Sequence, residues 1–447
     1  MPDLDTVLDR RALHSCLSDS AMESMNLLNE IAGRYPAAIS FAAGRPFEGF
    51  YEIEQVHTYL RVFCDYLRTE HRMSDPEIAR RLYQYGDTKG IISHLVARNL
   101  AVDEGISAEP QSIVVTVGCQ EAMFLVLRSL RVDQRDAVLS PRPTYVGFSG
   151  AALLADLPVI GVETGSTGID LDDLVRQLHQ ARAAGRRVRA CYVTPDFANP
   201  SGLSLGLADR RALLEIAATE DLLLLEDNAY GLFQSSERRL PTLKSLDTER
   251  RVVYLGSFAK TGMPGARVGY VVADQRVTNG DEPAGLFADE LSKIKSMLSV
   301  NTSPIAQAVI GGKLIAHDCS LISANQAVAG VYRHNLDTLL EGLDERLGDC
   351  PGVSWNVPTG GFFVVLTVPF VVDDALLDHA AQEHGVLFTP MHHFYGGSAG
   401  LHQLRLSIST LRGYQVAAGL DRLAALIREQ IGRADTRQAQ PVAGGVA

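Results

Sequence analysis

Val252-Val253-Tyr254-Leu255-Gly256-Ser257-Phe258-Ala259-Lys260 is the stretch from which the rest of the chain can be read. The short apolar run at its start predicts a buried strand over Val252–Ser257. Lys260 then emerges where that strand ends, and in an open α/β sheet the ligand crevice lies outside such carboxyl ends. An enclosed lysine there is costly unless its pKa falls or its amine is taken up in a Schiff base. Only six of the 41 basic residues are lysines: Lys89, Lys244, Lys260, Lys293, Lys295 and Lys313. Each can therefore be weighed by itself, and in isolation Lys260 is equally well explained as a surface cation.

The neighbours of this stretch shift the balance. Downstream, Gly265-Ala266-Arg267-Val268-Gly269-Tyr270 sets an arginine beside another strand, between glycines that permit close backbone approach. Upstream, Val117-Gly118-Cys119-Gln120 closes a strand and opens a helix, which offers free backbone N–H groups to an anion. Ser257, Lys260, Arg267 and the helix start after Gly118 together suit a phosphate monoester that carries a reactive aldehyde. A nucleotide is the rival anion, but the chain has neither a GxxxxGK[ST] loop nor a GxGxxG fingerprint. Asp227-Asn228-Ala229-Tyr230 follows the apolar run Leu222–Glu226, where a carboxylate could keep a heterocyclic nitrogen protonated. A lone Asp there is equally well a turn residue. Asn199-Pro200-Ser201-Gly202, a generic turn by itself, follows the predicted strand Val188–Thr194.

Further strands are predicted at Ile113–Val117, Ala137–Ser140 and Val159–Val162, with helices at Gln120–Leu130, Leu171–Ala184 and Ala208–Thr219. Short apolar strands alternating with helices signal a sheet covered on both faces. Beyond about Ala284 the pattern changes to long helices (Gly285–Leu298, Pro304–His317, Asn325–Leu347). Strands near Phe362–Leu366 and Leu404–Ser407 follow, then a closing helix Gln415–Ile431 with Leu420, Leu423, Ala424 and Ile427 on one face. The expected organisation is an N-terminal arm contributing to a small domain (1–75), a large domain (76–325), a small C-terminal domain (326–433) and a frayed tail (434–447).

The 447 residues are 46% hydrophobic and 21% charged, the balance of a globular chain. A net charge of −12 argues against nucleic-acid binding. The longest apolar stretch, around Gly361–Val372, is too short to span a bilayer. Asp3 and Asp5 stand where a signal peptide would be basic. Six scattered cysteines without a CxxC pair suit free thiols in a reducing cytoplasm.

On Asn199–Gly202, Asp227–Tyr230, Ser257–Lys260 and Pro264–Tyr270, the chain resembles the fold-type I pyridoxal-phosphate (PLP) enzymes. The likeness is to class I/II aminotransferases of the kynurenine/2-aminoadipate type, and it runs from Ser40-Phe41-Ala42-Ala43-Gly44 to Arg405-Leu406-Ser407. It implies a large domain with a mostly parallel seven-stranded sheet between helices, a smaller α+β domain, and transfer of an α-amino group to a 2-oxo acid.

By the same resemblance, Lys260 forms the Schiff base and carries the α-proton. Asp227 partners the pyridine nitrogen, and Asn199 and Tyr230 hold the ring's phenolic oxygen. Tyr145 stacks on the ring, and Ser257, Arg267 and the backbone of Gly118, Cys119 and Gln120 cradle the phosphate. Tyr85, in Tyr83-Gln84-Tyr85-Gly86, reaches the phosphate from a neighbouring subunit, which implies a homodimer. Arg405 clamps the substrate carboxylate, with Asn199 beside it and Gly44 assisting through its backbone; a planar fork suits that task as an ammonium does not.

Two departures stand out. Cys119 occupies a phosphate-turn position where relatives carry a small or hydroxylated residue. Thr389-Pro390-Met391-His392-His393-Phe394-Tyr395 replaces a Pro-Gly turn and resembles aminotransferases of secondary metabolism that handle arylglycines. The adjacent histidines suggest no metal site, since neighbours rarely share an ion and no third ligand is evident. The same scaffold also supports Cβ/Cγ elimination, replacement or carbon–carbon bond formation, which these motifs do not separate from transamination. A silent regulator on this scaffold would call for a basic winged-helix segment, whereas the N-terminal region is acidic.

Overall fold

The computed structural model describes residues 7–234, 239–396 and 399–438. Its large sheet is built from β1 (Ile113–Thr116), β2 (Asp136–Arg142), β3 (Val159–Gly165), β4 (Gly168–Ile169), β5 (Arg187–Val193), β6 (Leu223–Asp227), β7 (Val252–Ser257) and β8 (Gly269–Val272). The spatial order is β1-β8-β7-β6-β5-β2-β3-β4. Strands β7 to β3 in that order run parallel, while β8 is antiparallel to both of its neighbours. The expected seven strands are present, and two-residue β4 adds an antiparallel edge to β3.

The apolar runs form strands because both faces are covered. On one face Val114, Val138, Tyr192, Leu225, Val253 and Val271 pack with helices Gly118–Leu130, Val146–Leu154 and Phe287–Leu298. On the other, Leu139, Cys191, Val193 and Leu224 meet helices Leu171–Ala183 and Leu207–Thr219. Val115, Tyr254 and Val272 meet Ile53–Thr69, Ser93–Glu104 and Pro304–Ala316 on that same face.

The smaller domain has a four-stranded sheet in the order Ser354–Trp355, Phe363–Thr367, Gln403–Ser407, Thr389–Pro390. Helices Gln326–Leu347 and Gly413–Gln438 contribute Leu336, Leu339, Leu343, Leu420, Leu423, Ala424 and Ile427 to its core.

Several boundaries differ from expectation. The first 75 residues do not lean on the small domain alone. Ile39–Ser40 pairs in parallel with Val386–Leu387, but Phe63 and Leu67 on helix Ile53–Thr69 are buried in the large-domain core, because their apolar face matches helix Pro304–Ala316. The helix expected from Gly285 starts at Phe287, and an exposed hairpin (Arg276–Asn279 with Glu282–Leu286) precedes it. The closing helix runs to Gln438 instead of fraying at Ala434; the remaining tail, 439–447, lies outside the described residues. Among the described residues no helix is long and apolar enough to cross a membrane, and all six cysteines are unpaired.

Helices Ile53–Thr69 and Pro304–Ala316 touch at Gly312, where an added Cβ would run into the Tyr59 carbonyl oxygen. Alanine gains about 1 kcal/mol in helix propensity, but the crossing cannot widen without opening the Phe63 layer. Gly312→Ala is therefore expected to lose about 1–3 kcal/mol net, as overpacking does, read as a lowered urea midpoint at unchanged slope.

Candidate active site

The chain reverses its direction of sheet growth between β5 and β2, and the crevice outside the carboxyl ends of these strands is where ligands bind in such sheets. A cavity of about 470 Å³ lies there. It brings together Gly44, Cys119, Gln120, Tyr145, Asn199, Asp227, Tyr230, Ser257, Lys260, Arg267 and Arg405. These residues come from widely separated parts of the sequence; most sit at or just past a strand end or at a helix start, while Arg267 precedes β8 and Arg405 lies within strand Gln403–Ser407.

One end of the cavity suits an anion. Helix Gly118–Leu130 follows β1 directly, with Gly118 at φ +73°. A Cβ on Gly118 would lie 2.5 Å from Arg267 Nη2, and one on Gly269 would lie 2.6 Å from the Cys119 nitrogen. Glycine at both positions lets the guanidinium close on the first helical turn, whose N–H groups have no intrahelical partner. Ser257 Oγ, at the end of β7, accepts from the Ala259 N–H at 3.1 Å. Cations, helix N-terminus and hydroxyl together match a phosphate. Burial, and then Asp227, pushes the Cys119 thiol well up; it stays protonated and leaves its backbone as the useful donor.

Asp227 lies buried at the end of β6. Its Oδ2 accepts from Tyr192 Oη at 2.8 Å, and Cys119 Sγ stands 3.9 Å from Oδ1. Burial raises its pKa to about 6, against the lowering influence of the Tyr192 hydroxyl and the Lys260 charge. A desolvated carboxylate of this kind is best matched by a cationic partner such as a protonated ring nitrogen. Lys260 Nζ donates to the Gly44 carbonyl at 2.7 Å and stands 5.8 Å from the Tyr230 ring centre. Burial, aided by Arg405 and Arg267, lowers its pKa to about 8. A sizeable neutral fraction near neutrality makes this amine a usable nucleophile and base.

Arg405, on strand Gln403–Ser407, is buried between two rings, 4.4 Å from the centre of Phe363 and 4.9 Å from that of Phe394. It donates to Asn199 Oδ1 at 2.6 Å, the Ala42 carbonyl at 2.9 Å and Thr389 Oγ1 at 3.1 Å. Its Nε is buried without a partner. Burial lowers its pKa to about 10. Burial holds the Tyr230 hydroxyl protonated, against a small lowering influence of Asn199. Tyr145 caps helix Val146–Leu154 and is likewise kept protonated by burial. Tyr85 is not brought in: it is 84% exposed and outside the cavity of its own chain.

Three contributors escaped the sequence reading: Tyr192, Thr389 and the Phe363/Phe394 pair. For Tyr192 a signal existed. A tyrosine inside the core strand Ala190-Cys191-Tyr192-Val193 must find a partner for its hydroxyl.

The family model for aminotransferase class I and II matches residues 72–423. The chain is 59% identical over 428 residues to (S)-3,5-dihydroxyphenylglycine transaminase of Amycolatopsis orientalis, covering 96% of each. It is 30% identical to 2-aminoadipate transaminase of Thermus thermophilus, over 88% of this chain and 91% of that one. Kynurenine aminotransferase of Pyrococcus horikoshii, solved in complex with PMP, superposes with a TM-score of 0.79 at 25% identity, over 96% and 99% of the two chains.

The glycine cradle yields a direct test. Gly118→Ala places a Cβ at positive φ against Arg267, a strain of about 1–3 kcal/mol. The variant should fold but hold a phosphate-bearing ligand roughly ten- to a hundred-fold more weakly, measured with inorganic phosphate as competitor against the native protein.

Proposed function

Since the chain belongs to the class I and II aminotransferases, and is a PLP-dependent transaminase, we propose that it interconverts an arylglycine and its aryl 2-oxo acid by passing the amino group to or from a second 2-oxo acid/amino acid pair. The observation that carries this is the 59% identity, over 96% of both chains, to a dihydroxyphenylglycine transaminase. The cavity supports it: Met25, Val146 and Phe394 cluster as an apolar wall beside Arg405 and line the cavity. A ring attached directly to the substrate Cα would pack there while its carboxylate meets the arginine. The transaminase relatives favour amino transfer over Cβ/Cγ chemistry, and an arylglycine offers no side-chain leaving group.

The donor set fits PLP: an anion cradle at one end, a desolvated carboxylate at the other and a neutral-prone lysine between them. When bound, the cofactor supplies an aldehyde that condenses with amines and a ring that draws electron density from the substrate Cα. The protein's own groups do the rest. Gly118–Gln120, Ser257 and Arg267 would hold the phosphate, and Asp227, fixed by Tyr192, would keep a proton on the ring nitrogen. Asn199 and Tyr230 would serve the phenolic oxygen, and Tyr145 would lie against the ring. Lys260 Nζ would take the proton from the substrate Cα in one half-reaction, pass it on, and deliver a proton to the Cα of the second substrate in the reverse half. Arg405 offers its free Nε and a terminal nitrogen to the α-carboxylate as a fork. Exposed Tyr85 suits a contribution to the cavity of a second copy, so we read the active form as a homodimer. The unpaired cysteines suit the reducing cytoplasm.

The deciding experiment offers purified enzyme phenylglycine, tyrosine, leucine and 2-aminoadipate, each with 2-oxoglutarate. Phenylglycine is expected to give the highest kcat/KM; faster turnover of leucine or 2-aminoadipate would reject the arylglycine assignment while leaving transamination intact. Arg405→Lys keeps the charge but loses the fork, so KM should rise about ten- to a hundred-fold with a smaller change in kcat. Cofactor capture by the apoprotein requires the neutral Lys260 amine. With its pKa lowered to about 8, the capture rate should climb about tenfold per pH unit below 8 and level off above it. A profile still rising at pH 10 would mean the amine is unperturbed.

A further inference from the structure

Turn Met391–Phe394 carries two histidines for which amino transfer has no use. Their rings lie 4.1 Å apart, tilted by 36°. Both present Nε2 to the same carboxylate oxygen: Asp374 Oδ1 is 3.4 Å from His392 Nε2 and 2.8 Å from His393 Nε2. The three atoms lie within 4.8 Å of one another. We propose that His392, His393 and Asp374 bind a divalent first-row transition ion, zinc by preference, with its fourth position open to solvent.

Satisfaction of polar groups points the same way. Asp374 Oδ1 is hydrogen-bonded to His393, while His392 Nε2 is buried without any hydrogen-bond partner. A buried unsatisfied donor or acceptor is rare and needs an explanation. An ion between the three groups gives each atom a partner. The other face of His393 is already arranged for ligation: Ser24 Oγ lies 2.8 Å from Nδ1. A hydroxyl accepting the Nδ1 proton leaves the Nε2 lone pair free, the outer support that metal-bound histidines usually have. Two imidazoles and one carboxylate select zinc-like ions over magnesium or calcium. Zinc bond lengths on a tetrahedron set donor atoms about 3.3 Å apart, so the observed 2.8 and 3.4 Å need only small adjustment.

The reservation about sequence neighbours sharing an ion is met by the turn, which puts both rings on one side, and the missing third ligand is Asp374, on helix Asp374–His379. The group opens into a cavity of about 810 Å³ that also holds Asp19 and Arg142 and provides an entry path. The ion would be a brace and not a reactant. It ties helix Asp374–His379 to the turn whose Phe394 covers Arg405, and through Ser24 to the helix that lines the substrate cavity. A second cluster, His379, His384 and Glu429, serves as a control. There Arg433 already lies 2.7 Å from the Glu429 carboxylate and supplies its positive charge.

The test uses untagged holoenzyme stripped with a chelator and titrated with Zn²⁺ by calorimetry, with metal content counted after gel filtration. One equivalent per chain is expected, together with a higher melting temperature when zinc is added. Both effects should vanish in His392→Gln and Asp374→Asn and persist in His384→Gln. Ser24→Ala should weaken binding about ten- to a hundred-fold. Circular dichroism and the bound-cofactor absorbance establish that each variant is folded. No binding by the native protein, binding unaltered in His392→Gln, or binding lost in His384→Gln would each overturn the proposal.

Discussion

A guanidinium withdrawn from water with no carboxylate beside it is the constraint around which the cavity is built. The contacts of Arg405 are neutral: an amide oxygen, a main-chain carbonyl, a hydroxyl and two aromatic faces. Neutral acceptors and π faces compensate a buried charge only in part, and the depressed pKa of the group records the shortfall. An incoming carboxylate would supply what is missing. Holding the charge in this state draws on all parts of the molecule. Ala42 comes from the N-terminal segment and Asn199 from the loop after β5, while Phe363, Thr389 and Phe394 come from the small domain. Thr389 is the direct cross-strand partner of Arg405, so sheet register alone brings that hydroxyl into place.

Register has a comparable effect on β6. Glu226 and Asp227 are adjacent acids, both buried, and the two-residue period of a strand sends them to opposite faces. Glu226 accepts the backbone N–H groups of Leu243 and Lys244 at 2.8 and 2.7 Å and caps the helical turn there. Burial raises its pKa to about 8. Asp227 enters the cavity. A slip of one residue would exchange a structural carboxylate with one poised for the ring nitrogen, and the parallel pairing with β5 and β7 fixes the register.

The strands of the large sheet were legible in the sequence because burial on both faces leaves continuous apolar runs, and the residues just past them mark the crevice. Lys260, Asp227 and Asn199 were singled out in that way, Gly118 as the helix start after a strand, and Arg267 from its place between glycines beside the next strand. What stayed illegible depends on distant partners. Nothing local tells that Phe363 and Phe394 enclose Arg405, or that Ser24 and Asp374 meet His393. The hairpin Arg276–Leu286 was missed because its strands are largely exposed and lack an apolar face. Residues 1–75 were expected to contribute to the small domain, and no local signal showed that Phe63 and Leu67 within them are buried in the large-domain core.

Helix Ser20–Arg34 joins these threads. Met25 and Ile31 on it line the cavity, while Ser24 is bonded to His393 in the turn that carries Phe394. The Phe394 carbonyl in turn accepts from the Thr144 N–H at 3.0 Å, one residue before Tyr145. The apolar wall of the cavity and the turn that encloses Arg405 are thus parts of one packed unit, whereas the groups suited to a phosphate and a ring nitrogen sit at the strand ends of the large sheet. Substitution on this helix can reshape the space for a side chain without disturbing the cradle. That separation offers a physical reason why chains sharing about a quarter to a third of their residues keep one fold while being named for different amino acids.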